Sequence, residues 1–273
     1  MMIEMGQSLT LFQSALYKTA SAVVQTDDIV LVVDPCWLPH EVEEIRRYAA
    51  DLANGKQLYL LFTHSDFDHI IGYGAFPEAQ VIASSAFANK SEAEEEDILE
   101  QIRAFEDSYY LGRNYEIVYP RVDHVIDREG QIVQIGHTRL TFYQSPGHNP
   151  DGLFTVVEPP GLLLAGDYFS DIEFPYIYCS SGLYEESIRK LDAMLASHSI
   201  RLLIPGHGAA TADVEEMKRR QLKDLAYIAE MRAAVRAGDQ ATIDGLIDGC
   251  PFPRNMRKFH GNNQQLFERE MKS

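Results

Sequence analysis

An α/β layered domain is the fold class that the sequence predicts, on three observations. Short apolar runs bounded by turn residues recur along the chain, and segments with apolar residues at helical spacing fall between them. The 273 residues are 45% hydrophobic and 24% charged, with a mean hydropathy of -0.21, a composition able to withdraw roughly 75% of the unfolded surface from water. No internal repeat and no Gly/Ser-rich linker divides the chain, so a single domain with insertions is expected.

The elements follow in order. Leu9 to Leu16, Ala20 to Val24 and Ile29 to Val33 are apolar runs separated by turn residues, Thr26-Asp27-Asp28 among them, and read as antiparallel strands. Pro39 opens a helix whose apolar side uses Val42, Ile45 and Tyr48 to Ala49, and Asn54-Gly55 closes it. Leu58 to Phe62 lacks polar alternation, as a strand covered on both faces would. Further short strands are expected at Val81 to Ala83, Ile117 to Tyr119, Ile132 to Ile135, Leu140 to Tyr143, Leu153 to Val157, Leu162 to Leu164 and Leu202 to Ile204. Helical spacing returns at Ile188, Leu191 and Leu195, and again from Val214 through Met217, Leu225, Ile228 and Val235. Residues 91 to 110 hold eight acidic residues and one basic one, yet Ile98, Ile102, Phe105 and Tyr109 recur at helical spacing, which predicts a helix with one packed and one solvated side. Residues 251 to 273 carry five basic and two acidic residues, with Phe252, Phe259 and Phe267 as apolar anchors of a docked tail.

Charge and composition exclude several classes. The net charge of -17 and an isoelectric point near 4.9 disfavour a polyphosphate partner. No apolar run approaches the roughly 20 residues that span a bilayer, and the start of the chain lacks a basic and apolar leader, so no membrane partner and a cytoplasmic location are expected. Cys36, Cys179 and Cys250 are scattered and odd in number, which gives neither a disulfide framework nor a zinc knuckle.

The chemistry concentrates in Thr63-His64-Ser65-Asp66-Phe67-Asp68-His69, directly after the buried strand. A compact loop at a strand end can converge imidazoles and carboxylates that a continued strand would send to opposite faces. Enclosing two of each without a cation would leave repelling or unpaired groups at several kcal/mol apiece. Three tight loops resemble the first: Pro146-Gly147-His148-Asn149-Pro150, Ala165-Gly166-Asp167 and Pro205-Gly206-His207-Gly208. Glycine precedes each candidate ligand, where it permits a sharp turn or a close approach. His64, Asp66, Asp68, His69, His148, Asp167 and His207 are together enough donors for two cations sharing one ligand.

This set resembles the metallo-β-lactamase superfamily, whose usual motif is His-x-His-x-Asp-His followed by single His, Asp and His ligands. The likeness runs over about residues 8 to 236, with an inserted helical region at about 84 to 124 and a docked segment at about 237 to 273. It implies a four-layer αββα sandwich with metals at one edge between the sheets. It also implies that His64, position 66 and His148 hold one metal, that Asp68, His69 and His207 hold another, and that Asp167 bridges. Asp66 departs from the pattern, standing where most relatives have His. A carboxylate adds negative charge and a hard oxygen donor, so zinc leads but iron or manganese is admitted; direct, water-mediated and absent ligation by Asp66 all stand open. Flavodiiron proteins of the same superfamily carry Glu at this position.

A dinuclear hydrolase of a small ester, thioester, lactone or phosphoester is therefore expected, with Asp68 orienting a metal-activated hydroxide and two divalent cations as cofactors. The alternative is a non-haem iron enzyme handling oxygen, a thiol or nitric oxide; a non-catalytic metal-holding regulator is a third class. A small molecule is the expected partner, with a homodimer through the acidic helix and the basic tail left open. Aromatic residues in 84 to 124 and 168 to 184, Tyr109, Tyr110, Tyr115, Tyr176 and Tyr178 among them, either line a pocket or cover the core. His260 reads as a surface or packing residue, and no general acid can be named.

Overall fold

The structure, a computed structural model, describes residues 2–4 and 8–272. A first sheet runs in spatial order through β1 (Met2–Glu4), β2 (Leu9–Gln13), β3 (Ala20–Gln25), β4 (Ile29–Val33), β5 (Gln57–Leu61), β6 (Gln80–Ser84) and β7 (His124–Ile126). Strands β1 to β4 pair antiparallel, whereas β4 to β7 pair parallel. The change at β4 requires a crossover, which α1 (Pro39–Ala53) supplies. Pro39 sits where a helix has no use for its N–H, the Glu41 carboxylate accepts from Leu38 N–H at 3.0 Å, and Asn54 ends the helix at φ 39°. Three more helices follow on this half: α2 (Phe67–Ile70), α3 (Ser85–Ala88) and α4 (Glu92–Tyr109), the last opened by reciprocal Ser91 and Glu94 bonds.

The second sheet holds β8 (Gln131–Ile135), β9 (Thr138–Gln144), β10 (Leu153–Glu158), β11 (Leu162–Leu164) and β12 (Leu202–Ile204), in the order β12-β11-β10-β9-β8. Only β11 and β12 pair parallel, across α5 (Ser181–Ser197). Then come α6 (Val214–Ala237), α7 (Gln240–Gly245) and α8 (Pro253–Glu270). Leu31, Leu61 and Ile82 of the first sheet bury against Phe142, Leu153 and Leu164 of the second. Trp37, Ile45 and Ile102 fill the outer side of the first sheet under α1 and α4, and Tyr184, Ile228 and Phe267 that of the second under α5, α6 and α8. The result is the four-layer αββα sandwich, each fully buried Leu, Ile or Phe contributing about 1.5–3 kcal/mol.

The expected strand at Ile117 to Tyr119 does not form. Pro120 ends the run without a donor, and the Tyr119 hydroxyl donates to the Phe87 carbonyl at 3.0 Å, so burial against α3 takes the place of a ladder. The edge beside β6 belongs instead to β7. The docked tail is the helix α8, along which Phe267 is buried, Phe259 half-buried and Phe252 exposed. Among the described residues no helix is long and apolar enough to cross a membrane.

This topology gathers the informative loops. Strands β9, β11 and β12 end at one edge of the second sheet, and the loop after β5 meets them there. Leu153 N–H donates to the Thr63 carbonyl at 2.8 Å, and Ala20 N–H to that of Gly206 at 2.7 Å, tying loops of the two sheets together.

Candidate metal centre

The loop after β5 breaks into the single turn α2, capped at Asp66, and so points His64, Asp66, Asp68 and His69 to one side. The turn after β9 brings His148, that after β11 brings Asp167, and that after β12 brings His207. Close approach explains two of the glycines. A Cβ on Gly206 would lie 2.3 Å from Asp167 Oδ1, and one on Gly147 2.3 Å from Tyr184 N.

All seven side chains named from the sequence meet here. Donor atoms of His64, Asp66, His148 and Asp167 lie within 4.8 Å of one another, and so do those of Asp68, His69 and His207. Asp167 faces both groups: Oδ2 is 3.4 Å from His148 Nε2 and 3.3 Å from His207 Nε2, and Oδ1 is 3.1 Å from His69 Nε2. Asp66 reaches the first group, with Oδ2 3.2 Å from His148 Nε2 and 3.7 Å from His64 Nε2, while Asn149 Nδ2 donates to its other oxygen. Asp68 Oδ2 stands 3.6 Å from both His69 Nε2 and His207 Nε2.

Each imidazole is held by its outer nitrogen. His69 Nδ1 donates to Asp34 Oδ2 at 2.9 Å, His148 Nδ1 to the Tyr176 carbonyl at 2.7 Å and His207 Nδ1 to the Tyr17 carbonyl at 3.0 Å. Thr63 Oγ1 donates to Asp34 at 2.5 Å, so the same hydroxyl accepts from His64 Nδ1 at 3.0 Å. These partners fix the rings with every Nε2 turned inward, where a cation can take the place of a proton. The buried His64 Nε2, His69 Nε2 and Asp167 Oδ1 have no hydrogen-bond partner, a costly state that a cation would relieve. The residues therefore fit a metal, and mixed imidazole and carboxylate donors suit zinc, iron or manganese.

The same crowding shapes the charges. Burial alone would raise the Asp66 carboxyl, but His148 and His64 hold it well below the usual range. Burial raises Asp68, and its carboxylate neighbours Asp167 and Asp66 add to that against His69 and His207. Burial works to lower His148 and His207, yet the surrounding carboxylates raise them to about 9 and about 10. Three carboxylates thus bind positive charge tightly at this point, as protons or as metal.

Over the centre opens a cleft of about 800 Å³, with Asp66, Asp68, Asp167 and His207 on its floor. Helices α4 and α8 form facing walls, and Tyr17, Trp37, Tyr176 and Tyr178 supply aromatic surface. The aromatic residues of the variable segments divide: Tyr176 and Tyr178 line the cleft, Tyr168, Phe169, Phe174 and Tyr184 are core, and Tyr109 and Tyr110 point to solvent. His260 is a packing residue, bonded to Tyr227 and to the Ile243 carbonyl. Sequence reasoning missed Asp34, whose only signal was the Asp-Pro at a strand end, and Glu173 and Lys90, which carried none.

The family model described as the metallo-beta-lactamase superfamily matches residues 16–207. No curated protein matches the chain. Among solved structures, a metallo-beta-lactamase family protein from Thermus thermophilus is similar at TM-score 0.60 and 21% identity, covering 93% of this chain and 91% of its own. An archaeal metallo-beta-lactamase superfamily protein from Sulfolobus tokodaii gives 0.54 and 18%, covering 80% and 86%. The rubredoxin oxygen:oxidoreductase of Desulfovibrio gigas gives 0.55 and 14%, covering 84% of this chain and 62% of that one. At these identities the likeness is one of fold.

Proposed function

The chain belongs to the metallo-beta-lactamase superfamily, and from that premise we propose that it is a dinuclear metal-dependent hydrolase of a small ester, thioester, lactone or phosphoester. The observation that carries this reading is the two donor groups meeting at Asp167, with buried acceptor atoms of His64, His69 and Asp167 left unpartnered. His64, Asp66, His148 and Asp167 would hold one cation, and Asp68, His69, His207 and Asp167 the other. Bound there, two divalent cations supply a hydroxide at neutral pH and polarise the scissile carbonyl or phosphoryl oxygen. Asp68 lies on the cleft floor, where its carboxylate can orient the attacking water and accept its proton. The aromatic walls take up the carbon skeleton and thin the water around the reacting bond, and the volume is that of a small-molecule site. Glu94 and Asp97 on the α4 wall oppose a polyphosphate strand.

The test is elemental analysis of protein produced without added metal, joined to a turnover panel of lactones, thioesters and phosphodiesters. About two zinc or manganese ions per chain with hydrolysis supports the reading. Asp66 favours a second reading, a non-haem iron oxidoreductase, because its hard oxygen donor suits iron. Iron as isolated, with oxygen consumption or thiol turnover and no hydrolysis, would replace the first reading by the second.

A further inference from the structure

Glu173 lies between β11 and α5, on the wall of the cleft beside Asp68, Asp167 and His207. The residue is 8% exposed. The backbone around it is pinned: its N–H donates to Ser170 Oγ at 3.1 Å, and its carbonyl accepts from Lys223 Nζ at 2.8 Å. Its carboxyl has no hydrogen-bond or ion-pair partner among the described residues. A carboxyl group so enclosed and unpaired, on the wall of a ligand cleft, keeps its hydrogen-bonding capacity for what enters that cleft. Enclosure favours the neutral acid, which has a proton to give. Burial is the largest influence on it, and it raises the carboxyl above its ordinary range.

Several other donors on or near the cleft are poorly matched to that task. Burial drives the Tyr176 and Tyr178 hydroxyls far up, so they part with a proton reluctantly. The Lys90 ammonium is committed to Asp151 at 2.9 Å, and Asp68 is placed to serve the attacking water. Asp224, the other buried acid nearby, lines a separate small cavity behind Glu173 and does not reach the cleft.

We propose that Glu173 is the general acid of the hydrolysis, contacting the leaving group and protonating it; this rests on the hydrolase reading above. As the hydroxyl derived from water bonds to the acyl carbon or phosphorus, the bond to the leaving oxygen or sulfur breaks. Its electron pair stays on that atom, which takes the Glu173 proton, and the carboxylate left behind is reprotonated from solvent. The acid matters most where the departing anion is unstable, so alkyl esters depend on it more than nitrophenyl esters.

The experiment uses the metal-loaded protein and its Glu173→Gln variant on esters sharing one acyl group, with ethyl, phenyl and 4-nitrophenyl leaving groups. The expected result is a loss of about 100-fold or more in kcat/KM on the ethyl ester and at least a tenfold smaller loss on the nitrophenyl ester. Metal content and thermal midpoint at pH 6 should match the parent; should they not, Glu173→Asp, which keeps the acid at shorter reach, must still steepen the leaving-group dependence. Equal losses across the series, or none, would overturn the assignment of Glu173 while leaving the hydrolase intact. Failure of the unsubstituted protein to hydrolyse any ester, lactone, thioester or phosphodiester would remove the hydrolase reading and this inference with it.

Discussion

Asp34 holds two of the four imidazoles, one directly and one through the Thr63 hydroxyl, and it also accepts from Thr63 N–H at 2.9 Å. Replacing it by Ala leaves every donor in place but frees their orientation. Asp34→Ala should weaken metal binding about 10- to 100-fold, read by competition with a chromophoric chelator, with the far-ultraviolet dichroism retained. Asp66 carries a different expectation. If its carboxylate is a ligand, Asp66→His should shift selectivity from iron or manganese toward zinc in elemental analysis. Unchanged metal occupancy and activity would show that position 66 does not ligate. The seven donors were legible because they crowd into one loop or follow a glycine in a tight turn. Asp34 was not, because its partners are 29 and 35 residues away and only the Asp-Pro at a strand end marks it locally.

At the scale of the element, α8 shows what hydropathy hides. Its buried side includes Met256, His260, Asn263 and Phe267, a helical spacing in which the two middle members are polar. An apolar pattern therefore stops short, and the segment reads only as a tail with three phenylalanines. The polar members act as fasteners. Asn263 accepts from Ile177 N–H at 3.0 Å and donates to the Pro175 carbonyl at 2.6 Å and the Tyr227 hydroxyl at 3.0 Å. It thereby fixes the strand-like segment whose Tyr176 carbonyl holds His148. Asn263→Ala strands those groups in the interior, so it should cost about 2–4 kcal/mol in urea unfolding and loosen the first metal more than the second. The short elements α2, α3, α7, β1 and β7 were illegible for a simpler reason: three to six residues hold too little of any period to detect unless, as in β11 and β12, all of them are apolar. The longer strands and α1, α4, α5 and α6 carried enough.

For the whole molecule, stability should depend on pH through acids enclosed in the layers. Asp224 on α6 is 2% exposed, and burial pushes it up to about 7 against Lys223, a Phe169 backbone bond and Arg220. A carboxyl raised on folding favours the folded state while protonated, so its contribution is fully present below its unfolded value near 4 and is lost as pH rises through about 7. Asp224→Asn should be close to neutral at pH 4 and stabilising above pH 8, by an amount on the order of 3–4 kcal/mol in chemical denaturation. An equal effect at both values would show that the carboxyl does not titrate between them. The α/β layering was legible from alternating strand and helix signals, and the αββα order from the family resemblance that the ligand motifs carry, whereas the identity of the edge strand needed the tertiary contacts of Tyr119.

His64 and Asp66 belong to one sheet's loop, His148 and Asp167 to the other's, so a cation among them rivets two leaves that otherwise adhere through hydrocarbon and a few hydrogen bonds between loops. Stripping it with a chelator should remove a stabilisation that grows with free-metal concentration, near 2.7 kcal/mol at about one hundred times Kd, read as a fall in melting temperature. Scarcity of the ion would then limit how many copies persist as well as how fast each one works.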